Sequence, residues 1–304
     1  MSRIYCFFIL LSMVFYPALG ANNSLRSSKV FALQICLDRA GYSPNTLDGQ
    51  WGRKSQVALA TYCAVKNIPL PSNPNDAKDI LFPDEKNLFS MELVTQADYD
   101  LLVEIPSSPE AKSKLPRMGY STIKEMFAER GHLSQASLVR LNPNLKWPNP
   151  PVGSKVMIPY FPPQKKRGIA TALRVSLSRF EITAFDEKGS LIALFPCSIA
   201  ADKSKLPPKG EIHVTAYAPN PNYTYTPDFI KRGEKVKKYI FPPGPNNPVG
   251  SAWISLSLPT YGIHGTPNPE SIGRAESHGC FRLANWNASK LLSLIDVGTS
   301  VVIE

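Results

Sequence analysis

"YGIHGTPNPESIGRAESHGCFRL", residues 261–283, is the stretch on which the reading of this chain turns. It holds two histidines and one cysteine, each beside a glycine. Cys280 admits four readings: a small buried hydrophobe, half of a disulfide, a metal ligand, or a nucleophile. A metal site would draw on His264, His278 and Cys280. However, His278 and Cys280 stand only two apart, and the usual Cys-x-x-Cys or His-x3-His clamp is absent. No metal is therefore expected. Ser277, His278 and Arg282 around Gly279-Cys280 make a poor core sequence. A bridge to Cys197 stays open, although Cys197 in "LFPCSIA" reads as a buried small residue. A catalytic thiol fits best, with two histidines available as base and Arg282 favouring thiolate.

Outward from this stretch the texture is that of a β-rich domain. "RFEITAF" alternates as a strand, "DEKG" reads as a turn, and "SLIALFPCSI" and "EIHVTAYAP" read as further strands. "SAWISLSLPTYGIHGT" supplies one or two more. Helical spacing returns only in "LANWNASKLLSLI".

His264-Gly265, followed by Ser277-His278-Gly279-Cys280-Phe281-Arg282, resembles the active-site motif of the L,D-transpeptidase family, the YkuD-type catalytic domain. "NPNYTYTP", "FPPGPNNPVG", "TYGIHGT" and the closing "VGTSVVI" match further family blocks in order. The resemblance covers residues 166–304. It implies a mainly-β fold with Cys280 as nucleophile, His264 as general base and the Gly265 carbonyl orienting the ring. Backbone N–H groups of His278, Gly279 and Cys280 would form an oxyanion hole. Arg282, Ser277 and Tyr261 would contact substrate. The implied substrate is a peptidoglycan stem tetrapeptide, taken up as a thioester and passed to an amine acceptor. No cofactor is implied. With water as acceptor the same site would be a carboxypeptidase. A non-catalytic wall-binding protein is the alternative of a different class.

The rest of the chain points the same way. "MSRIYCFFILLSMVFYPALG", residues 1–20, reads as a cleaved secretory signal peptide, and its apolar run is short for a membrane span. The net charge of +10 favours anionic partners. In an exported chain that means the envelope, a periplasmic location, and no nucleic acid. No stable membrane span is expected after cleavage.

Residues 25–90 read as a small all-α domain followed by a Pro/Asn/Asp-rich linker. Leu33, Ala40-Gly41, Asp48-Gly49, Trp51-Gly52, Ser55, Ala58 and Tyr62 resemble the helical peptidoglycan-binding domain. Cys36 and Cys63 fall one on each of its helices and are expected to pair, since so small a domain has little core of its own. Residues 115–161 show helix, helix, "LNP" and a strand "VGSKVMIPY". This order resembles an α+β LysM carbohydrate-binding module, although Tyr120-Ser121-Thr122 replaces the usual opening. His132 reads as a solvated or capping residue. The expected architecture is therefore multidomain.

Overall fold

The computed structural model describes residues 25–162, 170–227, 237–277 and 279–304. The signal peptide, the domain boundary placed at residue 166, and His278 lie outside the described residues. No helix among the described residues is long and apolar enough to cross a membrane.

The N-terminal half runs α1 (Lys29–Ala40), α2 (Arg53–Lys66), α3 (Pro74–Leu81), β1 (Phe89–Leu93), α4 (Gln96–Asp100), α5 (Pro109–Ser113), α6 (Ile123–Arg130), α7 (Gln135–Leu141) and β2 (Lys155–Pro159). The ends of α1 are fixed locally. Ser28 Oγ accepts from Phe31 N–H at the start, and Gly41, at φ 99°, closes the end in the left-handed region. The loop after α1 is clamped by the buried Gln34. Its amide donates to Asp48 Oδ1, Gln50 O and Ser55 Oγ, and accepts from the N–H groups of Asp48 and Gly49.

The segment expected to be a linker is partly helical. Asn73 caps α3, Pro74 opens it, and Ala77 is buried in a core shared with Leu33, Leu37, Ala58 and Leu59 of α1 and α2. A capping Asn followed by Pro at the first helical position is a start signal as well as a turn signal.

The two expected N-terminal domains share one core. Phe31, Ile35 and Cys36 of α1 pack with Ile123, Met126 and Phe127 of α6, Leu138 of α7, and Val156 and Ile158 of β2. The strand read in "VGSKVMIPY" is β2, and it needs a partner. It finds one in β1, antiparallel, with Met91 opposite Met157. The boundary placed at residue 90 therefore falls inside a strand of the second unit.

This arrangement corrects the expected disulfide. Cys36 and Cys63 are separate buried thiols. Cys36 packs in the core shared with α6 and α7, and Cys63 in the core of α1, α2 and α3. Burial raises both, to about 12 for Cys36 and about 11 for Cys63, as for inert structural thiols.

The C-terminal half is mainly β: β3 (Ala172–Ser176), β4 (Glu181–Phe185), β5 (Leu191–Pro196), β6 (Ile199–Ala200), β7 (Gly210–Pro219), β8 (Tyr223–Tyr225), β9 (Tyr239–Phe241), β10 (Ala252–Leu256), β11 (Gly262–His264), β12 (Ala275–Ser277), β13 (Phe281–Arg282), α8 (Asn285–Leu292) and β14 (Ser300–Ile303). Eight strands form one sheet in the order β13-β11-β10-β7-β14-β3-β4-β5. Most neighbours are antiparallel, but β14 pairs parallel with β3, and β11 parallel with β13. Val214, Ile254, Ile263, Phe281 and Val301 pack against Ala288 and Leu291 of α8, with Leu294 and Ile295 just beyond. Each large side chain so buried contributes roughly 1.5–3 kcal/mol.

The halves are docked through backbone and side-chain contacts. Ser43 N–H donates to Leu194 O, and Leu194 N–H to Gly41 O. Met118 N–H donates to Pro243 O, Asn287 Nδ2 to Ser43 Oγ, and Lys290 Nζ to Asp38 O. His132, expected at the surface, sits in this seam. Its ring lies between Phe161 and Trp286, with centroids 4.0 and 5.0 Å away, and its Nδ1 lies 2.6 Å from Asp38 Oδ2.

Candidate active site

The parallel pair β11–β13 at the sheet edge builds the site. Ile263 is opposite Phe281, and His264 opposite Arg282. Directly opposed residues in a sheet share a face, and residues two apart along a strand share it too. His264 and Arg282 therefore stand on one face of adjacent strands, and Cys280 lies in the bend just before β13. Phe281 and Ile263 point the other way into the core, where both are fully buried. Alternation explains why a polar-rich motif can sit on a packed sheet.

His264 is 6% exposed, and its Nδ1 lies 2.6 Å from Gly265 O. The carbonyl can only accept, so Nδ1 carries the proton and Nε2 is left as the basic nitrogen. Burial lowers the imidazole to about 4, more than the Gly265 carbonyl raises it, and the Arg282 charge lowers it further. At neutral pH the ring is therefore uncharged. Across the strand pair, Trp253 is directly opposite His264, and its indole stacks on the imidazole with centroids 5.5 Å apart. Gly262 makes room for that indole, since a Cβ there would meet Trp253 Cζ2 at 2.6 Å.

Cys280 is a half-buried thiol that donates from Sγ to Thr260 O at 3.6 Å. Burial raises the thiol above its ordinary value, and this outweighs the lowering by a backbone hydrogen bond with Gly262 and by Arg282. Arg282 does act toward the thiolate, as expected, but desolvation dominates and the net shift is upward. The resting pair is a thiol and a neutral imidazole, not an ion pair. Thr260 itself stands at φ 71°, a conformation uncommon for a β-branched residue and often found at functional loops.

Tyr261 donates from its hydroxyl to Lys205 O at 3.1 Å, and its ring edge lies beside Gly279. It thus closes the loop around residue 205 over the cysteine turn. Ser277 belongs to β12, which pairs parallel with β6. Cys197 is a separate, fully buried thiol, raised by burial.

Sequence reading missed the shell behind His264. Asn285, at the first position of α8, is 1% exposed. Its Oδ1 accepts from Ser251 N–H at 3.2 Å, and its main-chain carbonyl accepts from Ser251 Oγ at 3.1 Å. A Cβ on Gly265 would meet Asn285 Oδ1 at 2.4 Å, and one on Gly250 would meet it at 2.0 Å. The only local signals were the glycines themselves and an Asn at a helix start.

A thiol and a neutral imidazole on neighbouring segments of a sheet edge, the ring held by a carbonyl, can carry acyl transfer through sulfur. Residues 170–303 match the L,D-transpeptidase catalytic domain of the YkuD family, and this segment is an L,D-transpeptidase catalytic domain. The protein named L,D-transpeptidase YkuD in Bacillus licheniformis is 28% identical over 179 residues, covering 59% of this chain and 92% of that one. Two Bacillus subtilis proteins match over shorter stretches. The one named YkuD is 51% identical over 59 residues, 19% of this chain and 36% of that one. The one named YqjB is 38% identical over 112 residues, 35% of this chain and 57% of that one. The solved L,D-transpeptidase 3 from Mycobacterium tuberculosis is a looser match, 15% identical with a TM-score of 0.36, covering 50% of this chain and 75% of that one.

Proposed function

We propose that the chain is a cysteine-dependent L,D-transpeptidase acting on peptidoglycan stem peptides in the cell envelope. One observation carries this reading: the His264 ring is tied through Nδ1 to Gly265 O at 2.6 Å, and the Cys280 thiol reaches the segment that leads into the same strand, at Thr260 O, at 3.6 Å. His264 Nε2 takes the thiol proton as Sγ attacks the carbonyl of the residue before the terminal D-amino acid of a donor tetrapeptide. The C–N bond breaks, the terminal D-amino acid leaves with the proton, and a thioester remains on Cys280. An acceptor amine then attacks the thioester, forming a new amide and restoring the thiol. Backbone N–H groups at Gly279 and Cys280, with that of His278, are the candidate oxyanion donors. Losing one such donor costs about 2.7–4 kcal/mol in known cases. Arg282 and Tyr261 are the candidates to hold the donor's carboxylate and flank. With water as acceptor the same intermediate gives a carboxypeptidase.

The positive charge and the resemblance of residues 25–90 and 115–161 to wall-binding modules support a tethering role for the N-terminal half, with export through the signal peptide at residues 1–20. Tethering raises effective concentration near the polymer.

The test is covalent. Wild-type protein treated with a carbapenem should gain one adduct by intact mass, mapped to Cys280. Cys280→Ala should gain none while keeping its thermal transition. An adduct of equal yield on the alanine variant would remove Cys280 from this role. Muropeptide analysis of digested sacculi then separates transfer from hydrolysis.

A further inference from the structure

The N-terminal half reaches the catalytic loop through a half-buried carboxylate. Glu129 lies on α6, and its Oε2 accepts from Asn285 Nδ2 at 2.9 Å. Its Oε1 accepts from the Tyr120 hydroxyl at 3.0 Å. Asn285 Nδ2 also donates to Pro245 O at 3.1 Å. With both amide protons engaged there, Oδ1 must point the other way, to Ser251 N–H and against Gly250 and Gly265. Gly265 is the residue whose carbonyl holds His264 Nδ1. An Asn amide turned end for end would push an N–H group against backbone that leaves no slack, so its orientation decides where the loop sits. No ion pair reaches Glu129 among the described residues. Burial raises it to about 7, against the lowering by Asn285 and Tyr120 and alongside the repulsion of Glu125. A carboxyl held in such a place by neutral hydrogen bonds alone is costly for stability. Its neighbour Glu125 accepts from Asn246 Nδ2 at 2.7 Å, so α6 fastens the 242–250 loop at a second point.

We propose that Glu129 of the N-terminal half is a positioning residue for the catalytic loop, acting through the side-chain amide of Asn285. The inference rests on the acyl-transfer reading of His264 and Cys280. It makes the N-terminal half a part of the catalytic apparatus and not only a tether. Gln at this position keeps the geometry, because its Oε1 accepts from Asn285 while its amide donates to the Tyr120 oxygen. Ala does not.

The test uses the full chain in five forms: wild type, Glu129→Ala, Glu129→Gln, Asn285→Ala and the double alanine variant. Carbapenem acylation is followed by intact mass over a concentration series, giving a limiting rate, a half-saturating concentration and a final labelled fraction. Glu129→Ala should lower the limiting rate about tenfold, with the labelled fraction and half-saturation within about twofold of wild type. Glu129→Gln should recover to within about threefold. The double variant should be no more than about twofold slower than Asn285→Ala, as expected for one coupled pathway. A Glu129→Ala rate equal to wild type, or a loss that only tracks the labelled fraction, overturns the proposal. The His264 ring nitrogens give an independent arm by NMR. Their signals should move in Glu129→Ala and Asn285→Ala but not in Glu129→Gln, and unmoved signals overturn the positioning role whether or not the drug reacts. A wild type that does not acylate at Cys280, but whose His264 signals move as stated, overturns the acyl-transfer reading and leaves the positioning role supported.

Discussion

At the level of single residues, the site is set by burial more than by charge. His264 lies well below its ordinary value of 6.5, at about 4, because desolvation outweighs the Gly265 carbonyl. Between those two values the unfolded chain binds a proton that the folded ring refuses, so this group's stabilising contribution is complete above 6.5 and is lost as pH falls through 4. The same shift keeps the base unprotonated in mild acid. Carbapenem acylation should therefore hold its His264-dependent acid limb near pH 4 to 5, with the rate rising at alkaline pH as the raised Cys280 thiol ionises. A pH–rate series decides it, and an acid limb centred at 6.5 would mean that the ring is solvated in the working enzyme. The residues proposed for the reacting end were picked from the sequence by the Ser-His-Gly-Cys run and the His-Gly pair. Trp253, Asn285 and Glu129 were not. An apolar strand residue, a helix-start Asn and a helical Glu look ordinary until the fold sets them beside the imidazole.

At the level of elements, the strands of the catalytic half were readable because alternation is a strong signal and each strand has a buried face. Two elements of the N-terminal half were misread for physical reasons. α3 was hidden by Asn and Pro, which start helices as readily as they break them. β1 was missed because the partner strand of β2 lies more than sixty residues upstream, and a two-stranded pairing leaves no local trace. The turn after β11 is the tightest element in the site. Gly265→Ala would drive a methyl to 2.4 Å from Asn285 Oδ1, and neighbouring Gly250 and Ser251 leave it nowhere to go. It should destabilise the protein by about 1–3 kcal/mol, as overpacking does, and slow acylation of the folded fraction. Denaturant melts and the acylation rate check both, and a variant unchanged in rate would show that the turn can shift without moving the ring.

At the level of the whole molecule, the chain is less modular than its sequence suggests. Wall-binding and catalytic halves read as beads on a string, yet α1 lies in two cores and the seam between halves holds a buried polar layer of Asp38, Ser43, His132 and Asn287. Such seams are invisible in sequence, since their polar residues look like surface. A fragment spanning 166–304 should therefore unfold at least about 5 °C below the full chain and acylate more slowly. Loss of the Asn285–Glu129 bond and exposure of Leu194 remove support from both site and sheet. Calorimetry and the acylation rate of the fragment check this. Equal melting and equal rates would restore the picture of independent beads.

The stacking of His132 on Trp286 has an optical consequence. Trp286 belongs to the catalytic half and His132 to the other, their planes within 8° of parallel. Docked, the indole is shielded by the imidazole; parted, it meets water, so Trp286 emission should shift to longer wavelength when the halves separate. The seam between the halves thus carries its own optical reporter.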